Sequence, residues 1–124
     1  MFQPYEEILK RKPDFRVTYQ FYSPEEGGRL RLPIQGLRFN FWYESELHTE
    51  PSIFMIWPEF EDRNQKVILE GEVYKEGIAR MWIINPVTIP YHKERLQVGS
   101  HGYFMEGRRR VAECDVIELI GLKE

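Results

Sequence analysis

Phe15-Arg16-Val17-Thr18-Tyr19-Gln20-Phe21-Tyr22 decides the fold class. Phe15, Val17, Tyr19 and Phe21 alternate with Arg16, Thr18, Gln20 and Tyr22. Successive side chains of an extended chain point to opposite faces, so the segment reads as a strand with one buried side. The stretch 24–28, with Pro24, Gly27 and Gly28, ends it. Residues 37–43, 52–56, 66–74 and 78–84 are further strand candidates, each rich in aromatic or branched side chains and separated by glycine or proline. Residues 102–105 and 109–119 read as a closing hairpin with Val111, Cys114, Val116 and Leu119 facing the core. Alternation slips there, which predicts a β-bulge. Strands at this density without alternating helices predict an all-β domain, a small antiparallel β-barrel or sandwich.

The front of the chain reads differently. Pro4 suits the first position of a helix, Glu6 and Glu7 its positive end, and Lys10, Arg11 and Lys12 its negative end, before Pro13 stops it. The expected organisation is an N-terminal extension over 1–11, holding a turn or two of helix, and one barrel domain over 12–124. With 42% hydrophobic, 15% aromatic and 30% charged residues, the composition is that of a globular domain.

The formal charge of −3 argues against a protein coated along its length by nucleic acid, leaving room for a local basic patch. Cys114 is the only cysteine, so no internal disulfide forms. The opening Met1-Phe2-Gln3-Pro4-Tyr5-Glu6-Glu7 lacks an apolar signal core, and a cytoplasmic location is expected. No apolar run approaches the roughly 18 residues that span a bilayer. His48, His92 and His101 are scattered, with no metal-ligand spacing to Cys114, and no cofactor is expected. Ser100 and His101 are chain neighbours whose side chains leave a strand on opposite faces, so they make no nucleophile–base pair. Glu59, Glu61 and Asp62 read as an acidic surface turn, with a divalent-cation site as the lesser reading. No phosphate-cradling P-loop pattern occurs, which excludes GTP hydrolysis by this chain alone, and no catalytic constellation stands out.

Two separated glycine turns carry carboxylates beside arginine: Glu25-Glu26-Gly27-Gly28-Arg29, and Met105-Glu106-Gly107-Arg108-Arg109-Arg110-Val111-Ala112. Between them lies Gly36-Leu37-Arg38-Phe39-Asn40-Phe41, running on to Tyr43. Together they resemble the third domain of bacterial elongation factor Tu, the β-barrel that packs on the T-stem of aminoacyl-tRNA. The resemblance runs over about residues 12–121, from Lys12-Pro13 through Gly102-Tyr103-Phe104-Met105-Glu106-Gly107 and on to Val116. The chain reads Glu44-Ser45-Glu46-Leu47-His48 where that family has a threonine-rich turn, and Glu61-Asp62-Arg63-Asn64 where it has Pro-Gly-Asp.

The resemblance implies a binding barrel without its GTPase domain. It places Arg29, Arg38, Asn40, Glu106, Gly107 and Arg109 on an RNA-binding face, thickened by Arg108 and Arg110. Arginine forks suit phosphate oxygens, while backbone amides and a carboxylate reach 2′-hydroxyls. The implied partner is tRNA or another structured RNA. A protein-interaction module acting on the elongation factor's partners is the alternative, and self-association through surfaces that neighbouring domains would otherwise cover is a further expectation.

Each feature also has a plainer reading. Gly27-Gly28 is a tight turn that Glu25 or Glu26 braces by pairing with Arg29 or Arg38. Arg108-Arg109-Arg110, like Lys10-Arg11-Lys12, is a solvated charge run. Trp42, Trp57, Trp82, Phe39, Phe41 and Phe54 are core side chains, with base stacking as the lesser reading. Tyr91-His92-Lys93-Glu94-Arg95 reads as an exposed loop.

Overall fold

A computed structural model describes residues 1–48 and 52–124. The strands are β1 (Phe15–Phe21), β2 (Asn40–Tyr43), β3 (Ile56–Phe60), β4 (Glu76–Ile83), β5 (His101–Glu106) and β6 (Arg109–Leu119). They form one antiparallel sheet in the order β2-β5-β6-β1-β4-β3. The sheet curls until its edges meet. Phe41 of β2 and Phe54, just ahead of β3, exchange both backbone hydrogen bonds, at 2.9 and 2.8 Å. The all-β barrel expected from the alternation is thus present. No helix among the described residues is long and apolar enough to cross a membrane.

β1 earns its central place by its pattern. Phe15, Val17, Tyr19 and Phe21 are buried and Thr18 and Gln20 exposed, while both ladder edges pair, to β4 and to β6. The core they enter is largely aromatic. Phe104 of β5 is fully buried, with ring centroids of Tyr19, Phe60, Phe21, Phe39 and Phe41 at 5.9, 6.0, 6.1, 6.2 and 6.4 Å. Edge-on and tilted rings, with Phe39 stacked on Phe104 at 13°, suit the ring quadrupoles at these separations and fill the interior with few rotatable bonds.

The closing hairpin carries two bulges in β6. Against β5, Phe104 faces Ala112 and Met105 faces Arg110, leaving Val111 extra; against β1, Val17 faces Val116 and Arg16 faces Glu118, leaving Ile117 extra. The first extra residue explains the broken alternation, because Val111 and Ala112 are adjacent and both buried.

Other expectations are corrected. The strand expected over 37–43 starts only at Asn40, since Gly36 turns at φ +100°. The one expected over 52–56 lies further on, in β3, whose Pro58 argues against a strand in sequence and is accommodated because β3 is last in the sheet order. Residues 66–74 form no strand: Val67 and Glu72 make single bridges, to Glu61 and Ile34, and Gly71 breaks the run at φ +93°. The loop expected over 91–95 belongs to a helix, α2 (Ile89–Arg95), with Pro90 in its first turn and His92 and Leu96 turned inward.

At the front, α1 (Tyr5–Leu9) is a single turn that stops at Lys10, in the left-handed conformation at φ 58°. Lys10, Arg11 and Lys12 therefore follow the helix and do not cap its last turn. The segment is docked: Phe2 N–H donates to the Leu69 carbonyl at 2.7 Å, and Tyr5 N–H to Glu59 Oε2 at 2.7 Å. That docking overturns the acidic surface turn read at 59–62. Glu59 and Glu61 lie on β3 and just beyond it, 0% and 2% exposed. Glu59 also accepts from Trp82 Nε1 at 3.1 Å, and Glu61 accepts from Arg16 at 2.7 and 2.8 Å and from Arg80 at 3.2 Å. Buried carboxylates require such partners. No group of three or more His, Cys, Asp or Glu among the described residues is placed to hold a metal.

Gln35 substitutes for a strand at the seam. Its buried amide donates to the Phe60 and Ile68 carbonyls at 2.7 and 2.9 Å and accepts from Phe60 N–H at 3.0 Å. Backbone groups at the β3 edge are thereby satisfied without a neighbouring ladder.

Candidate functional site

The turn after β1 is built to aim Arg29. Ser23 and Glu26 form a reciprocal cap, Glu26 N–H to Ser23 Oγ at 3.3 Å and Ser23 N–H to Glu26 Oε1 at 2.9 Å, which also holds the Glu26 carboxyl below its usual range. Gly27 follows at φ +94°, and a Cβ on Gly28 would lie 2.1 Å from the Tyr22 carbonyl oxygen, so only glycine fits. Tyr22 N–H donates to the Val111 carbonyl at 2.9 Å, tying the turn to β6. The chain then leaves toward the β5–β6 hairpin. The bracing pair expected for Glu26 does not form, because its carboxylate is committed to the cap.

Arg29 meets Glu106 instead. Its Nη1 pairs with Glu106 Oε2, while Arg109 Nη2 reaches Glu106 Oε1 at 2.6 Å. One carboxylate thus spans two guanidiniums that are far apart in sequence. Arg29 also donates through Nε to the Arg31 carbonyl at 3.2 Å and lies 5.7 Å from the Phe39 ring centroid. Gly107, at φ +62°, makes the hairpin tip. A cleft of about 510 Å³ opens here between Pro24, Gly28, Arg29, Leu30, Arg31, Glu106 and Arg109.

Of the residues placed on one face by the family resemblance, Arg29, Glu106, Gly107 and Arg109 come together. Asn40 is half-buried on β2, opposite Met105. Arg38 has a different neighbour: its guanidinium sits 4.5 Å from the Trp57 ring centroid and faces Tyr5 of the docked front segment. Arg110 lies over Tyr103, 3.8 Å from the ring centroid. Sequence reading missed Leu30 and Arg31 at the cleft. The alternation Arg29-Leu30-Arg31-Leu32 would turn Leu30 inward, whereas the segment belongs to no strand and Leu30 is 89% exposed, so no local signal marks them. The aromatic residues divide: Trp82, Phe39 and Phe41 are buried core, whereas Trp42, Trp57 and Phe54 are half-buried.

The opposite end of β5 has the opposite charge. Glu44, Glu46 and Glu94 with Arg95 and His101 line a cleft of about 700 Å³. There His101 Nδ1 is 2.9 Å from Asp115, and Tyr103 Oη donates to Glu44 at 2.9 Å. The net charge of −3 is therefore spread unevenly, with arginines gathered at the Glu106 end.

A third cluster closes the seam near Phe54. His92 is 1% exposed, its Nδ1 2.8 Å from Tyr43 Oη, and its ring meets Phe54 edge-on at 4.6 Å. His48 Nδ1 is 3.0 Å from Tyr91 Oη, over whose ring Arg95 lies at 3.6 Å. Burial, with His48 and Arg95 nearby, pushes His92 down to about 4; burial and Arg95 also lower His48. Burial pushes the Cys114 thiol well up, which makes it a poor nucleophile. Searches of this sequence against protein-family models and against curated proteins find no match.

Proposed function

We propose that this barrel is a non-catalytic RNA-binding module, resembling the third domain of elongation factor Tu. It holds the phosphate backbone of a tRNA-like or other structured RNA in the Arg29–Arg109 cleft. The observation that carries the reading is the convergence of two remote glycine turns on one cleft, where Arg29 and Arg109 flank a single anion position. Guanidinium forks match phosphate oxygens, and Arg31 on the cleft wall with Arg108 at the hairpin tip extends the cationic strip. The local excess explains how a chain of net charge −3 engages a polyanion.

The test is a fluorescence titration with bulk tRNA at low and high salt. Binding is expected to fall steeply as salt rises, and Arg29→Ala and Arg109→Ala are each expected to weaken it about three- to tenfold and to reduce the salt slope by about one. Absence of binding at low salt would sink the reading. A second reading, a protein-binding module, draws on the apolar side chains of the 30–37 loop, where Leu30 is 89% and Ile34 64% exposed. A packed protein interface responds weakly to salt, so the same titration format with a protein partner separates the two.

A further inference from the structure

We propose that Glu106 is an internal stand-in for the phosphate of the ligand: its carboxylate occupies the anion position between Arg29 and Arg109 and must leave before a phosphodiester oxygen enters. This rests on the RNA-binding reading and gives Glu106 a role opposite to the one implied by the family resemblance, in which its carboxylate is a contact made to the RNA.

The geometry has the features of a displaceable occupant. Glu106 offers both oxygens, one to each guanidinium, which is how a phosphate would accept from the same pair. The carboxylate is 37% exposed at the cleft mouth, so it can turn to solvent without opening the core. It is the last residue of β5, next to the tip glycine, Gly107 at φ +62°, and so lies at the end of the ladder. Arg29 keeps its place through the bond from Nε to the Arg31 carbonyl, which does not involve Glu106. The Arg29 guanidinium therefore stays presented when the carboxylate departs, and Arg109, which pairs only with Glu106 among the described residues, is freed to follow the incoming anion.

Selectivity follows from the exchange. A ligand with one phosphate replaces one anion by another and gains little. A polyanion that also reaches Arg31 and Arg108 gains contacts that Glu106 never satisfied, so the cleft discriminates in favour of an extended phosphate backbone. The carboxylate thereby suppresses occupation by free phosphate and by isolated acidic side chains.

Glu106→Gln keeps the shape and removes the charge. Affinity for bulk tRNA at low salt is expected to rise roughly fivefold, the effect of deleting one unit charge about 4 Å from the ligand in a high-dielectric setting. Inorganic phosphate is expected to compete with tRNA measurably in the variant and hardly at all in the native chain. Glu94→Gln removes the same charge at the other end of β5 and is expected to leave tRNA affinity within twofold. Circular dichroism melting checks that both variants keep the fold. Weaker tRNA binding by Glu106→Gln makes Glu106 a direct contact and overturns the inference while leaving the RNA reading standing. An unchanged affinity, or an equal gain in Glu94→Gln, also overturns it. If neither native protein nor Glu106→Gln binds tRNA, the RNA reading and this inference fail together.

Discussion

Phe104→Ala is expected to lower the unfolding free energy by about 4 kcal/mol, within the range for truncating a fully buried aromatic ring. Phe104 is fully buried and is the ring on which Tyr19, Phe21, Phe39, Phe41 and Phe60 converge, contributed by β1, β2, β3 and the approach to β2. Those neighbours are held by ladders on several sides and cannot all collapse into the space left. The cost is then the lost transfer free energy together with the cavity. For a chain of this size that corresponds to a fall in Tm of roughly 10–20 °C. Phe104→Leu, which keeps most of the volume, is expected to cost less than half as much. Urea unfolding monitored by circular dichroism measures both. A loss below about 1 kcal/mol for the alanine variant would show that the aromatic centre can repack, and would refute the shared-ring picture.

Acid is expected to loosen the seam before it unfolds the barrel. His92 is lowered to about 4 in the folded chain, while an unfolded histidine titrates near 6.5. The folded state therefore binds fewer protons between those values. Stability is full above about pH 6.5, declines as pH falls toward 4, and is unaffected by this group below that. His48, also lowered, acts in the same direction; Glu59, raised by burial, acts against it, losing stability as pH rises. The net loss assigned to His92 is on the order of 2 kcal/mol. This is less than the full shift would give, because α2 can open locally and admit the proton without global unfolding. The check is thermal melting at pH 4.5 and 7.5 of the native chain and of His92→Gln. The glutamine retains a hydrogen-bonding partner for Tyr43 but cannot titrate, so its Tm difference between the two pH values is expected to shrink. An equal difference in both proteins would remove His92 from the account.

The strands that sequence reveals best are those whose two faces differ. β1 is legible because it pairs on both sides with one face inward, so its alternation is complete from Phe15 to Phe21. The bulge in the last hairpin is legible as a fault in the same alternation. β3 is hidden because Pro58 looks like a breaker and because its outward residues, Trp57 and Glu59, are covered by a segment from the far N-terminus. That covering also makes Glu59 look like a surface acid; nothing local indicates that Tyr5 N–H and Trp82 will partner it. α2 is too short to show a period, and its inward ring, His92, is polar. At the candidate site, the glycine turns are visible in sequence, since Gly28 and Gly107 answer backbone demands. The pairing of Arg29 with Glu106 is not, because it depends on the two turns meeting across the sheet. Arg38 sits in a motif with Asn40 yet is drawn to Trp57, a residue whose position depends on the misread strand.

The central place of β1 has a bearing on how the chain is made. Its two ladder partners are β4 and β6, so the strand synthesised first gains its second neighbour only when the last strand has emerged. At about 5–20 residues per second, roughly 5 to 20 s separate the end of β1 from the arrival of β6. Until β4 emerges both edges of this aromatic strand are unpaired, and from then until β6 arrives one is, the kind of surface that recruits other extended chains. The barrel therefore closes only once β6 has emerged, and nascent chains stalled before β6 are the form most in need of a chaperone.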